Sequence, residues 1–223
     1  MPNDFFRFQQ FTVHQSLCAM KVGTDGTLLG SWAAGGDHIL DIGTGTGLIA
    51  LMMAQRFPEA RIDGVDIDSG AVRQARLNVS ESPFSQRITV CEADVAVWDG
   101  RYDAIVCNPP FFVHSLTSPD EQRTVARHAA TLTYRQLMTA VSRLLTDDGE
   151  CSVIVPFDYR SLMEAEASLA GLFKTREWAV RTTPAKPPRR YLLALRKHSA
   201  PLDAGVGVIG SEWYNKLMEK FYL

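Results

Sequence analysis

From Asp37 onward, short apolar runs alternate with longer segments whose apolar residues recur every three to four positions. The short runs predict strands at His38–Asp41, Arg61–Asp66, Arg87–Cys91, Asp103–Cys107 and Cys151–Val155. Asp103–Cys107 is a compact apolar run of the kind found in strands buried on both faces. The longer segments predict helices. Leu48–Phe57 is apolar nearly throughout and is stopped by Pro58, and Ser69–Ser80 gathers Val72, Ala75 and Val79 on one side. Tyr134–Leu145 carries a stripe of Leu137, Val141, Leu144 and Leu145 closed by Asp147-Asp148-Gly149, and Ser161–Leu172 follows. Strand alternating with helix at this spacing argues for a doubly wound sheet. Near the end the pattern changes. Lys174–Thr182 and Arg189–Lys197 read as strands joined by Pro-Ala-Lys-Pro-Pro, too short for a crossover helix, so they must form an antiparallel hairpin. The expected fold class is therefore α/β: a mostly parallel, seven-stranded sheet with an antiparallel edge hairpin.

Composition narrows the function classes. With 46% hydrophobic and 22% charged residues, the 223-residue chain is neither disordered nor fibrous. No repeat or linker divides it, so one domain is expected over 1–223. A net charge of −2 argues against nucleic-acid binding through overall charge and leaves room for a local basic face. Cys18, Cys91, Cys107 and Cys151 form no CxxC pair. No secretory leader and no apolar run of membrane-spanning length is visible, so the expectation is a cytoplasmic protein with no membrane partner and no evident obligate protein partner.

The first chemical constellation is Asp41-Ile-Gly43-Thr-Gly45-Thr-Gly47, between the first predicted strand of the core and its helix. Glycines there allow a tight turn and let a ligand lie against bare backbone. A GxGxxG dinucleotide fingerprint would need glycine where Leu48 stands, and a Walker A loop would need Gly-Lys-Ser/Thr. The loop therefore fits a ligand that presents no pyrophosphate. Asp66 ends the second strand of the core and Asp94 follows the third, which puts Asp41, Asp66 and Asp94 at successive strand ends. A strand-end carboxylate can take both hydroxyls of a ribose. Each acid alone could be an ordinary solvated charge, but three in this placement mark a ligand site.

The second constellation, Asn108-Pro109-Pro110-Phe111, follows the buried fourth strand at the same carboxyl edge. The Asn108 side chain and the Pro109 carbonyl offer two acceptors for the two N–H bonds of an exocyclic amine. Pro110 holds the backbone extended, and Phe111 supplies a flat apolar surface. A rigid turn would use the same residues without chemistry. Cys107, inside an apolar strand, reads as a buried, inert thiol.

With these motifs the chain resembles the Rossmann-like S-adenosylmethionine (SAM) methyltransferases, in the group that carries an NPPF-type motif and methylates amines. The resemblance implies that Asp41, Gly43, Gly45, Gly47, Asp66 and Asp94 bind SAM, with Asp41 at the methionine ammonium, Asp66 at the ribose and Asp94 at the adenine amine. It implies Asn108, Pro109 and Phe111 as catalytic residues, S-adenosylhomocysteine as coproduct and no metal. The segment Lys21-Val-Gly-Thr24-Asp25 through Trp32, together with the aromatic ending from Trp213 to Leu223, is similar to the bacterial tRNA1(Val) adenine-N6-methyltransferases. That similarity adds Lys21, Thr24 and Asp25 as cofactor-side contacts and tRNA(Val) as partner. It divides the domain into a covering segment (1–36), a catalytic core (37–198) and a tail (199–223).

Phe173–His198 contains eight Lys or Arg residues against Glu177 alone, so Arg189 and Arg190 on the predicted hairpin are candidate RNA contacts. Basic residues also protect sheet edges from aggregation, which is the competing account. Arg123, Arg127 and Arg135 add charge beyond the NPPF loop. Guanine-N2 methylation of rRNA, N5-methylation of a protein glutamine, and a non-catalytic RNA-binding scaffold remain alternatives.

Overall fold

A computed structural model describes residues 4–18, 21–109 and 132–223. The chain opens with an antiparallel pair, β1 (Phe5–Arg7) and β2 (Thr12–His14), and then α1 (Thr24–Trp32). The core follows as β3 (His38–Ile42), α2 (Leu48–Arg56), β4 (Arg61–Asp66), α3 (Ser69–Ser80), β5 (Ile88–Glu92) and β6 (Tyr102–Cys107). After it come α4 (Tyr134–Leu144), β7 (Leu145–Pro156), a 3-10 turn (Phe157–Tyr159), α5 (Arg160–Leu169), β8 (Phe173–Arg181), β9 (Arg190–Arg196), β10 (Asp203–Val208) and α6 (Glu212–Met218).

The main sheet has the order β10-β8-β9-β7-β6-β3-β4-β5. From β5 to β7 all neighbours are parallel, while β9 runs antiparallel to both β7 and β8. The chain steps outward from β3 through β4 to β5, then returns to β6 on the other side of β3. That reversal is the switch point where open α/β sheets bind ligands. The seven expected strands are present, and β10 adds an eighth by pairing parallel with β8. The hairpin is therefore not the sheet edge that the sequence predicts. Asp203–Val208 hides its strand character behind Gly205 and Gly207. A Cβ on either glycine would fall about 2.5 Å or less from the ring of Trp178 or Trp213, so ring-on-backbone packing, not β-propensity, makes this strand.

Each face of the sheet buries its own core. One holds Ile39, Val106, Ile154 and Leu192 under α1, α2 and α3, and the other holds Leu40, Ile42, Ile105 and Val153 under α4 and α5. Helix α2 is buried from Leu48 through Ala54, which is why its sequence is apolar all round. Helix α4 is amphipathic and starts with a Thr133/Gln136 capping box. It runs straight into β7. The Asp147-Asp148-Gly149 turn, expected to separate them, lies inside β7, where Tyr102 pairs with Leu145 but Ala104 with Glu150 and the surplus residues bulge. No helix among the described residues is long and apolar enough to cross a membrane.

Candidate active site

The glycine loop is built by its neighbours. Gly43, Gly45 and Gly47 have φ of 68°, 56° and 79°, a region that side chains with a Cβ rarely enter. The amides of Gly43 and Thr44 both donate to the Val65 carbonyl, tying the loop to the end of β4 (2.8 and 3.0 Å). Asp66 Oδ2 accepts the Gly45 amide at 2.9 Å, and its Oδ1 accepts that of Asp68 at 3.0 Å. Asp41 is fully buried; its Oδ2 accepts the Thr44 hydroxyl at 2.7 Å and the Ala50 amide in the first turn of α2 at 3.1 Å. Burial pushes its carboxyl up to about 7, against the pull of these two hydrogen bonds. Its Oδ1 has no hydrogen-bond partner among the described residues. Asp94 is exposed just beyond β5, with Oδ1 accepting the Ala96 amide at 2.8 Å. All three acids thus stand at the carboxyl edge, and two of them shape the loop as well as facing it.

The N-terminal segment is latched beside this loop. Asn78, fully buried on α3, accepts the His14 amide at 2.9 Å and donates to the carbonyls of His14 and Thr46, both at 2.8 Å. One turn earlier, Gln74 Oε1 accepts the Leu17 amide at 3.0 Å. Cys18 Sγ lies 3.8 Å from where a Cβ on Gly45 would be. The motifs in the sequence point to none of Thr44, Gln74 or Asn78. A signal exists for the last two: polar residues one turn apart on a helix face flanked by Val72, Ala75 and Val79.

Of the cofactor-side candidates in this segment, Lys21 is exposed and Thr24 begins α1. Asp25 is ion-paired with Arg190 at the start of β9. Burial raises the Asp25 carboxyl, and the guanidinium opposes that rise. Arg190, a candidate RNA contact, is thus the partner of Asp25. Ion pairs extend along the basic hairpin. Lys174 bridges Glu164 and Glu177, Arg176 and Arg196 both hold the buried Glu150, and Lys197 meets Asp147. Arg181 Nη1 donates to the Pro184 carbonyl. Among the described residues no carboxylate forms an ion pair with Arg181, Lys186 or Arg189.

Asn108 and the buried Pro109 follow β6 directly. β6 pairs with β3 through Ile42↔Cys107, so Asn108 stands one strand from the glycine loop. Pro110 and Phe111 lie outside the described residues, as do Arg123 and Arg127. Cys107 is buried, and desolvation holds its thiol well above the ordinary range, as expected of an inert strand cysteine.

Residues 26–183 match the methyltransferase small domain family. A tRNA1(Val) (adenine(37)-N6)-methyltransferase of Porphyromonas gingivalis is 46% identical, the match covering 91% of this chain and 85% of that one. One from Bacteroides fragilis is 42% identical over 100% of this chain and 99% of its own. Among solved structures, a chain described as a predicted O-methyltransferase from Agrobacterium tumefaciens superposes with a TM-score of 0.68 at 19% identity, covering 88% of this chain and 96% of that one. A SAM-dependent methyltransferase from Corynebacterium glutamicum superposes with a TM-score of 0.52 at 17% identity, covering 79% and 89%. These two structures share the fold; the sequence relatives share far more of the chain's identity. A glycine loop, strand-end acids and an Asn-Pro pair at one switch point thus sit in a chain that belongs to the methyltransferase small domain family, alongside the tRNA1(Val) (adenine(37)-N6)-methyltransferases.

Proposed function

We propose that this protein transfers a methyl group from SAM to the N6 amine of an adenine in the anticodon loop of tRNA(Val). The observation that carries the proposal is the end-to-end similarity to enzymes named for that reaction, in a chain whose Asn108-Pro109 pair stands one strand from the glycine loop.

The residues fit SAM. A Cβ at Gly43 would meet nothing within 4 Å, so open space lies over the loop. Among the described residues Asp41 Oδ1 has no hydrogen-bond partner, which leaves it an acceptor that helps orient the methionine ammonium. Each Asp66 oxygen accepts one amide and retains a second lone pair, enough for a ribose diol. Asp94 takes the adenine amine. SAM supplies an electrophilic sulfonium methyl and leaves as S-adenosylhomocysteine.

The chain supplies position. The target adenine leaves its loop for the cleft, at less cost than from a duplex. The Asn108 side-chain oxygen and the Pro109 carbonyl each accept a hydrogen bond from the N6 amine, which raises electron density on the nitrogen and aims its lone pair; N6 sheds one proton to solvent after the methyl has transferred. Orientation of this kind can lower a barrier by up to roughly 7–11 kcal/mol.

Asn108→Ala is expected to slow single-turnover transfer by about 10²–10³ with SAM affinity retained. A folded Asn108→Ala protein working at near wild-type rate would remove the pair from the chemistry. N6-methyladenosine in the product supports the proposal, and N2-methylguanosine or labelled protein replaces it.

A further inference from the structure

We infer that Phe157 is a stacking platform for an unpaired base next to the target nucleotide, with Arg181, Lys186 and Arg189 meeting the phosphates on either side. The inference rests on the function proposed above and adds a substrate-positioning surface to it.

Phe157 opens the 3-10 turn after β7, the neighbour of β6, and therefore lies at the same carboxyl edge as Asn108. The residue is 56% exposed, yet its backbone is clamped: the Phe157 amide donates to the Arg189 carbonyl at 3.0 Å. The ring stands 6.3 Å from that of buried Tyr191, which carries the Arg160 guanidinium 4.4 Å from its centroid. A large apolar ring is thus held out to solvent by a rigid support. One exposed phenylalanine on a surface needs no explanation. What sets this one apart is its setting.

The turn it clasps, 182–189, lies at the same carboxyl edge, because β9 begins where β7 ends, with Pro156 paired to Arg190. Pro184, Pro187, Pro188 and the Lys186 amide bond to the Thr183 carbonyl (3.2 Å) stiffen it. The five other cations of the hairpin are neutralised by carboxylates from α1, α5, β7 and β8. Arg181, Lys186 and Arg189 have no such partner among the described residues, against one exposed acid in the adjoining 3-10 turn, Asp158. Positive charge without an ion-pair partner among the described residues, on a turn hydrogen-bonded to an exposed aromatic residue, suits a polyanion with accessible π-faces. Single-stranded nucleic acid has both properties. A tRNA anticodon loop presents such bases on each side of the one that leaves the stack.

The test uses the full chain and an anticodon stem-loop RNA. Phe157→Ala is expected to raise the RNA KM by about 5- to 150-fold, the range that loss of one base–aromatic stack produces. Its kcat should fall far less, with the SAM dissociation constant unchanged. Phe157→Trp should restore the KM. An abasic nucleotide flanking the target adenine should cost the wild-type protein a similar factor and cost Phe157→Ala nothing further. A KM within twofold of wild type for folded Phe157→Ala overturns the inference, as does full restoration by Phe157→Leu, which fills space but cannot stack. If the wild-type protein methylates no tRNA, the proposed function falls and the stacking surface with it. Methylation with an unaltered Phe157→Ala KM removes the platform alone.

Discussion

Asp41 is sealed from solvent, whereas Asp66, one strand away, is half-buried. Asp41 is held near 7 in the folded chain against about 3.9 when unfolded. Between those values the folded protein keeps a proton that the unfolded chain has lost. Stability therefore falls as pH rises from about 4 through about 7 on account of this residue. Urea titrations at stepped pH should show Asp41→Asn gaining on wild type across that window, and a constant difference between the two would refute the assignment. Asp66→Ala acts on the ligand instead. Losing charge-assisted bonds of roughly 1.5–3 kcal/mol should raise the SAM dissociation constant at least about tenfold by calorimetry. Unchanged affinity in a folded variant would remove Asp66 from the ribose site. At this scale the acids are legible because strand-end carboxylates follow from strand prediction. That Asp41 and Asp66 also shape the loop is not, since the bonds to Thr44, Ala50 and Gly45 depend on how β3, β4 and α2 meet.

Among the elements, the N-terminal segment depends on α3. Asn78→Ala would strand the His14 amide and the His14 and Thr46 carbonyls at once. Each buried group left unpaired costs about 1–3 kcal/mol, with some relief from water. We expect a loss of roughly 2–4 kcal/mol in denaturant unfolding, with amide exchange accelerating at β2 before it does at β3 or β6. Equal acceleration throughout would show that Asn78 supports the global fold and not a latch. Strand β4 and helix α3 are readable to the residue, because an apolar alternation and a clean start at Asp68 bound them; Asp68 caps α3 by accepting the Gly70 and Ala71 amides. The boundary between α4 and β7 is not readable in this way, since Asp-Asp-Gly makes a bulge inside a strand as readily as a turn before one.

For the whole molecule, counting charge along the hairpin leaves out its internal ion pairs. Glu150, Glu164, Asp25 and Asp147 come from distant sequence to neutralise most of it. The salt dependence of tRNA binding should therefore divide the basic residues. Lys186→Ala with Arg189→Ala should flatten the log–log slope by about 0.7 for each phosphate no longer neutralised. Arg190→Ala should leave the slope intact and destabilise the protein by unpairing Asp25. An unaltered slope in the Lys186/Arg189 double variant, or a flattened one in Arg190→Ala, would contradict this division.

By itself the sequence determined the alternation of strand and helix, the glycine turn with its acids, and the Asn-Pro pair that follows the buried strand. All of these are local: a period of 2 or 3.6, a need for positive φ, two acceptors adjacent in the chain. The tertiary structure alone decided which charges survive as free charges, where the chain ends go, and what closes the sheet. Gln9 of the N-terminal segment bonds the backbone of Glu219 and Tyr222 at the other end of the chain, and the Phe8 and Tyr222 rings stack at 6.1 Å. β10, poor in apolar signal, becomes a strand because Trp178 and Trp213 lie against its glycines. Such contacts join residues far apart along the chain, and their energy is set by burial and by partners that no window of neighbouring residues contains.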